Sequence, residues 1–472
     1  MTRLFSLSGR RPAPHSGRRP APLFGRRPAR KAHLAALSAL TMGLMVTLAP
    51  TAAAAPGDLD TGFGTGGKVT TDFGATPSEP EIGNDLLRTS SGSLFVVGRA
   101  GFGTPGVGPS DFGVAKYTSG GALDTGFSGD GKVTTNFGGP LNTLAVARSV
   151  IEAGDGKILV GGFTGGEQIA DLALARYNSD GTLDSSFGGD GKVTTDLTGG
   201  LGDGVRGLSL TSTGKILVAG AAGADSFIAR YNSDGSLDTG FGGGDGIVIT
   251  DFGTGDHLFA LEELSSGKLV AAGSANSDFL LVRYNSDGTL DTSFSGDGKV
   301  TTDFNGLSDL AFGFTRAPGG DYVLAGAVDA PEPFGVAGPI KVGVVRYDSD
   351  GSLDTGFSGD GKVTTDVNTL RADEARDVAV DSDGKIVIAG LAGESVVFPV
   401  DPVDGDALVI RYNSDGTLDT GFSGDGIATL DYSGGADVAR GIALTGSDDI
   451  VIAGGATSSG TGLDFALAKL QG

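Results

Sequence analysis

Between residues 147 and 197 the chain alternates apolar and polar positions with a period of two, in four short runs separated by glycine-bearing turns. ARSVIEAGDG (147–156) is an apolar run closed by a Gly turn, and KILVGGF (157–163) follows it. DLALARYNSDG (171–181) sets Leu172, Leu174 and Arg176 on one face and Ala173, Ala175 and Tyr177 on the other. GKVTTDL (191–197) puts Val, Thr and Leu on one face. The pattern predicts four short antiparallel strands, A to D in chain order, with no helical periodicity.

The unit recurs. LD-T/S-x-F followed by a glycine-rich turn occurs seven times, with leucines at Leu59, Leu123, Leu183, Leu237, Leu290, Leu353 and Leu418. Their spacings are 64, 60, 54, 53, 63 and 65 residues, the mark of a repeat array. Four antiparallel strands per unit describe a propeller blade, which buries its faces only against neighbouring blades. The phase of the repeat sets the architecture. Residues 59–74 supply a turn and strand D alone, and strands A, B and C close the chain at about 437–470. An open stack would leave two raw edges, whereas a ring pairs them. The expectation is an all-β, seven-bladed β-propeller, with four antiparallel strands per blade, closed by the N-terminal strand.

Composition agrees and adds limits. Gly supplies 85 of 472 residues, as many turns require; there is no Cys and no Trp, and only three His. Disulfides, thiolate metal sites and Cys nucleophiles are excluded. His15 and His33 lie in the leader, so His257 is the lone body histidine and a multi-His metal site is excluded. Residues 1–54 carry nine basic and no acidic residues, then an apolar run (32–50), then TAAAAP. This is the order of a secretory signal peptide, with Ala52-x-Ala54 as cleavage site and 55–472 as the mature propeller. Sec export is expected over the twin-Arg route, because Pro and Ala follow the paired arginines. Mature residues number 25 basic and 57 acidic, a charge of −32. Such a surface repels nucleic acid and anionic lipid. A secreted, released monomer is expected, with a protein or glycan ligand.

DGKI-apolar-apolar-AG, RYNSDG-T/S-LD-T/S-x-F and GDGKVTTD together resemble the delta-60 repeat family of exported bacterial proteins, over essentially all of 58–472. The resemblance implies a β-propeller. It brings no agreed activity, cofactor or catalytic residue.

Candidate sites come from the residues. The NSDG segments look calcium-like, but they lack the EF-hand pattern and read as Asx turns; calcium stays open as a cofactor, with none otherwise expected. The seven LD aspartates recur with a base late in strand C (Lys116, Arg176, Arg230, Arg283, Arg346, Arg411, Lys469) and read as structural pairs. A carboxylate ring stands at the start of strand A: Glu81, Asp203, Asp256, Asp309, Asp373 and Asp437, with Ala145 at the seventh place. Either it makes an acidic channel mouth, with His257 beside it, or each carboxylate binds backbone N–H groups and ties adjacent blades. Three positions on lie Asn84, Arg148, Arg206, Phe259, Phe312, Arg376 and Arg440. The long B-to-C connections at 98–110, 328–340 and 393–406 share that face and add Phe102, Phe334 and Phe398 as candidate binding residues. The reading is a non-enzymatic binding scaffold. Its rivals are a propeller hydrolase or lyase using Glu262, Glu263 or Glu374 with His257, and a carbohydrate- or cation-binding module, the former weakened by the absence of Trp.

Overall fold

The computed structural model describes residues 54–74, 81–101, 110–138, 144–165, 170–199, 202–331, 337–369, 371–394, 405–458 and 462–472. They form seven four-stranded antiparallel sheets. In blade 3, strand A is Asp203–Leu210, B Ile216–Ala222, C Asp225–Tyr231 and D Ile247–Thr250, paired in that order. Each strand A touches the A strands of both neighbouring blades, and the cycle returns from blade 7 to blade 1. The A strands therefore surround an axis and the D strands form the rim. The protein is all-β, a seven-bladed propeller.

Closure follows the repeat phase. Blade 7 takes strands A to C from Asp437–Leu444, Ile450–Ser458 and Gly462–Leu470, and strand D from Lys68–Thr71 near the chain start. The register pairs Lys68 with Ala468 and Thr71 with Phe465. Leu59 bridges Leu470, as Leu237 bridges Tyr231 within blade 3. The N-terminal segment thus repeats the C-to-D geometry of the other blades, although its strand C lies some four hundred residues away.

The core is a set of sandwiches between blades rather than one centre. Leu217, Ala219 and Ile228 of blade 3, for example, pack against Leu258, Leu261 and Leu269 of blade 4. Burial of this kind contributes about 25 cal/mol per Å² of apolar surface. Three polar devices fix the angle between blades. Arg230 donates from Nε to Asp238 at 2.6 Å, stacks on Phe241 at 4.5 Å, and reaches from Nη1 to the Ser286 carbonyl of the next blade at 2.8 Å. All seven LD aspartates pair with their strand C base, from Lys116–Asp124 at 2.8 Å to Lys469–Asp60 at 2.9 Å. Each of six buried tyrosines bonds a threonine of the preceding blade's strand D, as Tyr177 does to Thr135 at 2.7 Å and Tyr412 to Thr365 at 2.7 Å. The turn glycine completes the joint. Gly235 has φ +88, and a Cβ there would stand 2.9 Å from the Phe187 ring of the preceding blade. Only glycine serves both demands at low cost.

Deleting residues 54–74 leaves blade 7 with three strands and a raw edge. The expected result is a melting temperature lowered by more than about 5 °C, read by scanning calorimetry on the mature protein. An unchanged melting curve would overturn ring closure as the source of stability.

Candidate functional site

The channel wall is built by a bulge repeated in every blade. Each A–B ladder slips by one residue, leaving Asn84, Arg148, Arg206, Phe259, Phe312, Arg376 and Arg440 without a ladder partner. The glycine of the strand B "AG" motif makes the bulge possible. A Cβ at Gly220 would fall 1.9 Å from the Gly204 carbonyl oxygen, and at Gly98 1.9 Å from that of Ile82. The extra residue bends strand A and turns its side chain toward the axis. All seven bulged residues line one central cavity of about 560 Å³.

These side chains touch in sequence around the axis. Arg206 lies over the Phe259 ring at 4.9 Å, Phe259 meets Phe312 edge to face at 5.4 Å, and Arg376 covers Phe312 at 4.6 Å. On the other side Arg440 donates to Asn84 Oδ1 at 2.7 Å, and Asn84 donates to the Ala147 carbonyl at 2.8 Å. Arg148 sits over Phe163 at 5.7 Å. Four guanidinium groups from the bulges, and that of Arg316, therefore share one channel in a chain whose net charge is −23. Arg376 pairs with buried Glu374. Arg206 has no carboxylate partner among the described residues. Burial, then the positive charge of Arg376, pushes the Arg206 pKa below its ordinary value.

One residue further along strand A the wall is tight. Glycine occupies this place in blades 3, 5 and 7, and a Cβ on Gly441 would stand 2.6 Å from the Leu86 nitrogen. Asp85 and Asp377 hold it in blades 1 and 6 and bridge to the next blade. Asp85 accepts from Val150 N–H at 2.8 Å and Asp377 from Ile442 N–H at 2.9 Å. Their second oxygens accept from Leu86 and Val378 N–H. Burial pushes Asp85 up to about 6. Burial and then the charge of Asp85 push Asp377 up to about 7. Near neutrality they subtract less than two full charges from the arginine-rich wall.

The acidic ring lies elsewhere. Glu81, Asp203, Asp256, Asp309, Asp373 and Asp437 are each at most 1% exposed, so they do not form a mouth open to solvent. They hold the D-to-A connection between blades: Asp203 accepts from Leu197 N–H at 2.7 Å, Asp373 from Val367 N–H at 2.7 Å, Asp437 from Tyr432 N–H at 2.7 Å. Glu81 accepts from Phe73 N–H at 2.7 Å, Asp309 from Phe304 N–H at 2.6 Å, and Asp256 from Phe252 N–H. The physical reason is the sharp turn at each blade change, whose N–H groups have no ladder partner. His257 is half-buried; burial and then Arg206 push its pKa down to about 4, so it is neutral at neutral pH. Glu262 pairs with Arg316 at 3.3 Å and Glu263 accepts from Ser212 N–H at 2.6 Å in the preceding blade. Glu262, Glu263, Glu374 and His257 are thus engaged separately rather than as one constellation. Phe102, Phe334 and Phe398 lie outside the described residues. The arginine ring was visible as the position three past the acidic ring. The signal for its direction was the "AG" glycine facing it.

Residues 153–187, 211–241, 264–294, 334–357 and 403–422 match a family model described as "Domain of unknown function (DUF5122) beta-propeller". The chain is a β-propeller repeat protein. The matched stretches are less than half of it, and all five take in an LD-T/S-x-F motif together with the RYNSDG or RYDSDG turn before it. No curated protein matches the chain in sequence. Solved structures similar to this propeller include a catalytically inactive virginiamycin B lyase from Staphylococcus aureus with quinupristin, at 10% identity and TM-score 0.47, covering 85% of this chain and 98% of that one. An ulvan lyase of polysaccharide lyase family PL25 shares 13% identity at TM-score 0.42, covering 89% and 95%. An α-L-arabinanase from Penicillium chrysogenum complexed with arabinobiose shares 10% identity at TM-score 0.43, covering 86% and 98%.

Two outcomes are expected for the propeller. Gly220→Ala drives a methyl group into the bulge and should cost more than about 3 kcal/mol, read from the denaturant midpoint; a loss under about 1 kcal/mol would show that the bulge does not need glycine. The pH dependence has a definite sign. Asp85 and Asp377, with Asp309 and Asp437 pushed up to about 6 by burial first, bind protons more tightly folded than unfolded. Stability therefore falls as pH rises from about 4 to about 7. The hydrogen bond from Lys215, ahead of that from Arg230, outweighs burial and holds Asp238 down to about 2, so its contribution is present above about 4 and lost in acid. Melting should peak between pH 4 and 5, and Asp377→Ser, the residue type blade 2 carries at that place, should flatten the fall toward pH 8.

Proposed function

We propose that this is an exported, non-enzymatic binding protein whose central channel takes a small anionic ligand through Arg148, Arg206, Arg376 and Arg440. The observation that carries the reading is Arg206: it is half-buried, repelled by Arg376, and paired with no carboxylate among the described residues. A carboxylate or phosphate between these guanidinium groups would relieve that repulsion and accept charge-assisted hydrogen bonds from both. Phe259 and Phe312 hold the two arginine planes at fixed height, so little side-chain freedom is lost on binding. The four arginines occupy places where the repeat varies from blade to blade, whereas the frame contacts recur. An acidic sugar belongs to the same ligand class. A neutral-sugar platform gains less support, because the Phe259 and Phe312 rings are occupied by arginine.

A lyase or hydrolase reading would turn to Asp85 and Asp377, the carboxylates of the channel with raised pKa. Both oxygens of each already accept backbone N–H bonds, which favours a positioning role in the wall over proton transfer.

Inorganic phosphate and succinate, in buffer free of divalent ions, are suitable probes. At about 10 mM either should raise the melting temperature of the mature protein by several degrees, with a dissociation constant near or below a millimolar by titration calorimetry. Arg206→Met should raise the ligand-free melting temperature, and Arg206→Met with Arg376→Met should weaken binding at least about tenfold. An equal response in the double variant, or none in the parent protein, would reject the channel as an anion site.

A further inference from the structure

At three blade junctions among the described residues a carboxylate of strand C, the aspartate just past strand D, and the acidic residue at the start of the next strand A come together: Asp464, Asp72 and Glu81; Asp278, Asp303 and Asp309; and Asp406, Asp431 and Asp437. At the junction of blades 4 and 5 these are Asp278, Asp303 and Asp309, and one carboxylate oxygen from each lies within 4.8 Å of the other two. Asp309 is fully buried, Asp278 half-buried and Asp303 exposed, so the cluster opens to solvent on one side only.

The sister junctions show what such a cluster needs. Between blades 1 and 2 the second acid is Asn136, which donates to Asp111 Oδ1 at 2.7 Å, and Ala145 takes the third place. Between blades 5 and 6 the first acid is Lys341, whose Nζ pairs with Asp366 at 3.2 Å. Between blades 6 and 7, Asp406, Asp431 and Asp437 converge as closely, but both Asp437 oxygens accept backbone N–H bonds, from Tyr432 and from Thr457 at 3.1 Å. At the blade 4/5 junction none of these remedies is present. Oδ2 of Asp309 accepts from Phe304, while its buried Oδ1 has no hydrogen-bond partner. No lysine or arginine pairs with the three carboxylates among the described residues; Lys362 donates instead to the Asp303 carbonyl at 3.2 Å. Asp329 adds a fourth carboxylate whose charge reaches Asp309.

We propose that Asp278, Asp303 and Asp309 bind one calcium ion at the junction of blades 4 and 5. Calcium takes six to eight oxygen ligands at about 2.3–2.6 Å, so oxygens sharing one ion stand at most about 5 Å apart, the spacing this cluster has. Three carboxylates fit a hard divalent cation, the exposed side admits water for the remaining positions, and the orphaned Asp309 oxygen gains a partner. Magnesium fits less well, since it holds its ligands at about 2.0–2.1 Å in strict octahedral geometry. The ion would tie strands C and D of blade 4 to strand A of blade 5. The site is separate from the channel and does not depend on anion binding there.

The test uses the mature protein stripped with chelator and dialysed. Titration calorimetry with calcium chloride should show a site filled below millimolar ion, and 5 mM calcium should raise the melting temperature by several degrees, with a smaller rise in magnesium. Asp278→Asn with Asp303→Asn should remove that response, and Asp406→Asn, at the sister junction, should keep it. Asp278→Lys copies the Lys341 solution of the next blade; it should raise the metal-free melting temperature and abolish the calcium response, which keeps the test valid if the double variant folds poorly. No calcium-dependent shift in the parent protein, or an undiminished shift in Asp278→Lys, would overturn the proposal.

Discussion

Everything in this ring rests on four residues of strand, Lys68–Thr71, lying against Phe465–Ala468. A blade of this protein has two apolar faces and cannot bury either alone, so each blade is stable only between two others. Six junctions form between segments close in the chain. The seventh requires the chain to bring together segments about four hundred residues apart, a costly loop closure that is repaid once, when the sheet is complete. The joints that repeat from blade to blade differ in weight: the arginine–aspartate pairs are largely buried, so losing one partner would cost several kcal/mol, whereas a tyrosine–threonine bond contributes about 1 kcal/mol. Their effect comes from number and from geometry. The arginine that binds its own blade's aspartate also reaches the next blade's turn, and each tyrosine reaches back to the blade before. Every blade is thereby held at both edges, and the angle between blades stays near one value around the circle.

The frame was legible in the sequence because its signals are local and repeated seven times. Period-two alternation marked the strands, Asx-Gly turns marked the hairpins, and the phase of Leu59–Thr71 against the last unit fixed the closure. The site was legible in its members but not in its direction. Strict alternation carries side chains to alternate faces, and one inserted residue reverses the phase. The bulge in strand A makes that insertion, so the position three past Asp203 turns to the channel while Asp203 turns into the junction. The information was present in Gly220 and its six counterparts, on the partner strand. A pattern read along one strand does not reveal that the neighbouring strand has removed a side chain to admit a bulge.

The carboxylates separate into two populations for a physical reason. Asp60, Asp124, Asp184, Asp238, Asp291 and Asp419 of the LD motif meet cations and are held down; Asp238, between Lys215 and Arg230, is the clearest case. Asp203, Asp256, Asp309, Asp373 and Asp437 at the junctions, and Asp85 and Asp377 beside the channel, meet backbone N–H groups, and burial drives them up. A single count of acidic residues hides this division. It also hides the placement of the arginines: the rim arginines neutralise aspartates, whereas Arg206 in the channel has no such partner among the described residues.

That contrast bears on where function resides. Contacts that hold a ring must recur in every blade, because a ring with one weak joint opens there. The LD pair recurs in seven of seven blades, and the strand B glycine in seven of seven. The bulged residue that glycine admits is arginine in four blades, phenylalanine in two and asparagine in one. Stability constrains the bulge at every blade and leaves its side chain free, since that side chain faces the channel rather than a neighbour's core. Four arginines meet under that freedom in a chain of net charge −23, and the charge of Arg376 bears on Arg206 at a cost the frame does not require. In the proposed anion-binding reading, what enters the channel relieves Arg206 and Arg376, and its chemistry is set by theirs: negative, with oxygen acceptors, and small enough for a cavity of about 560 Å³.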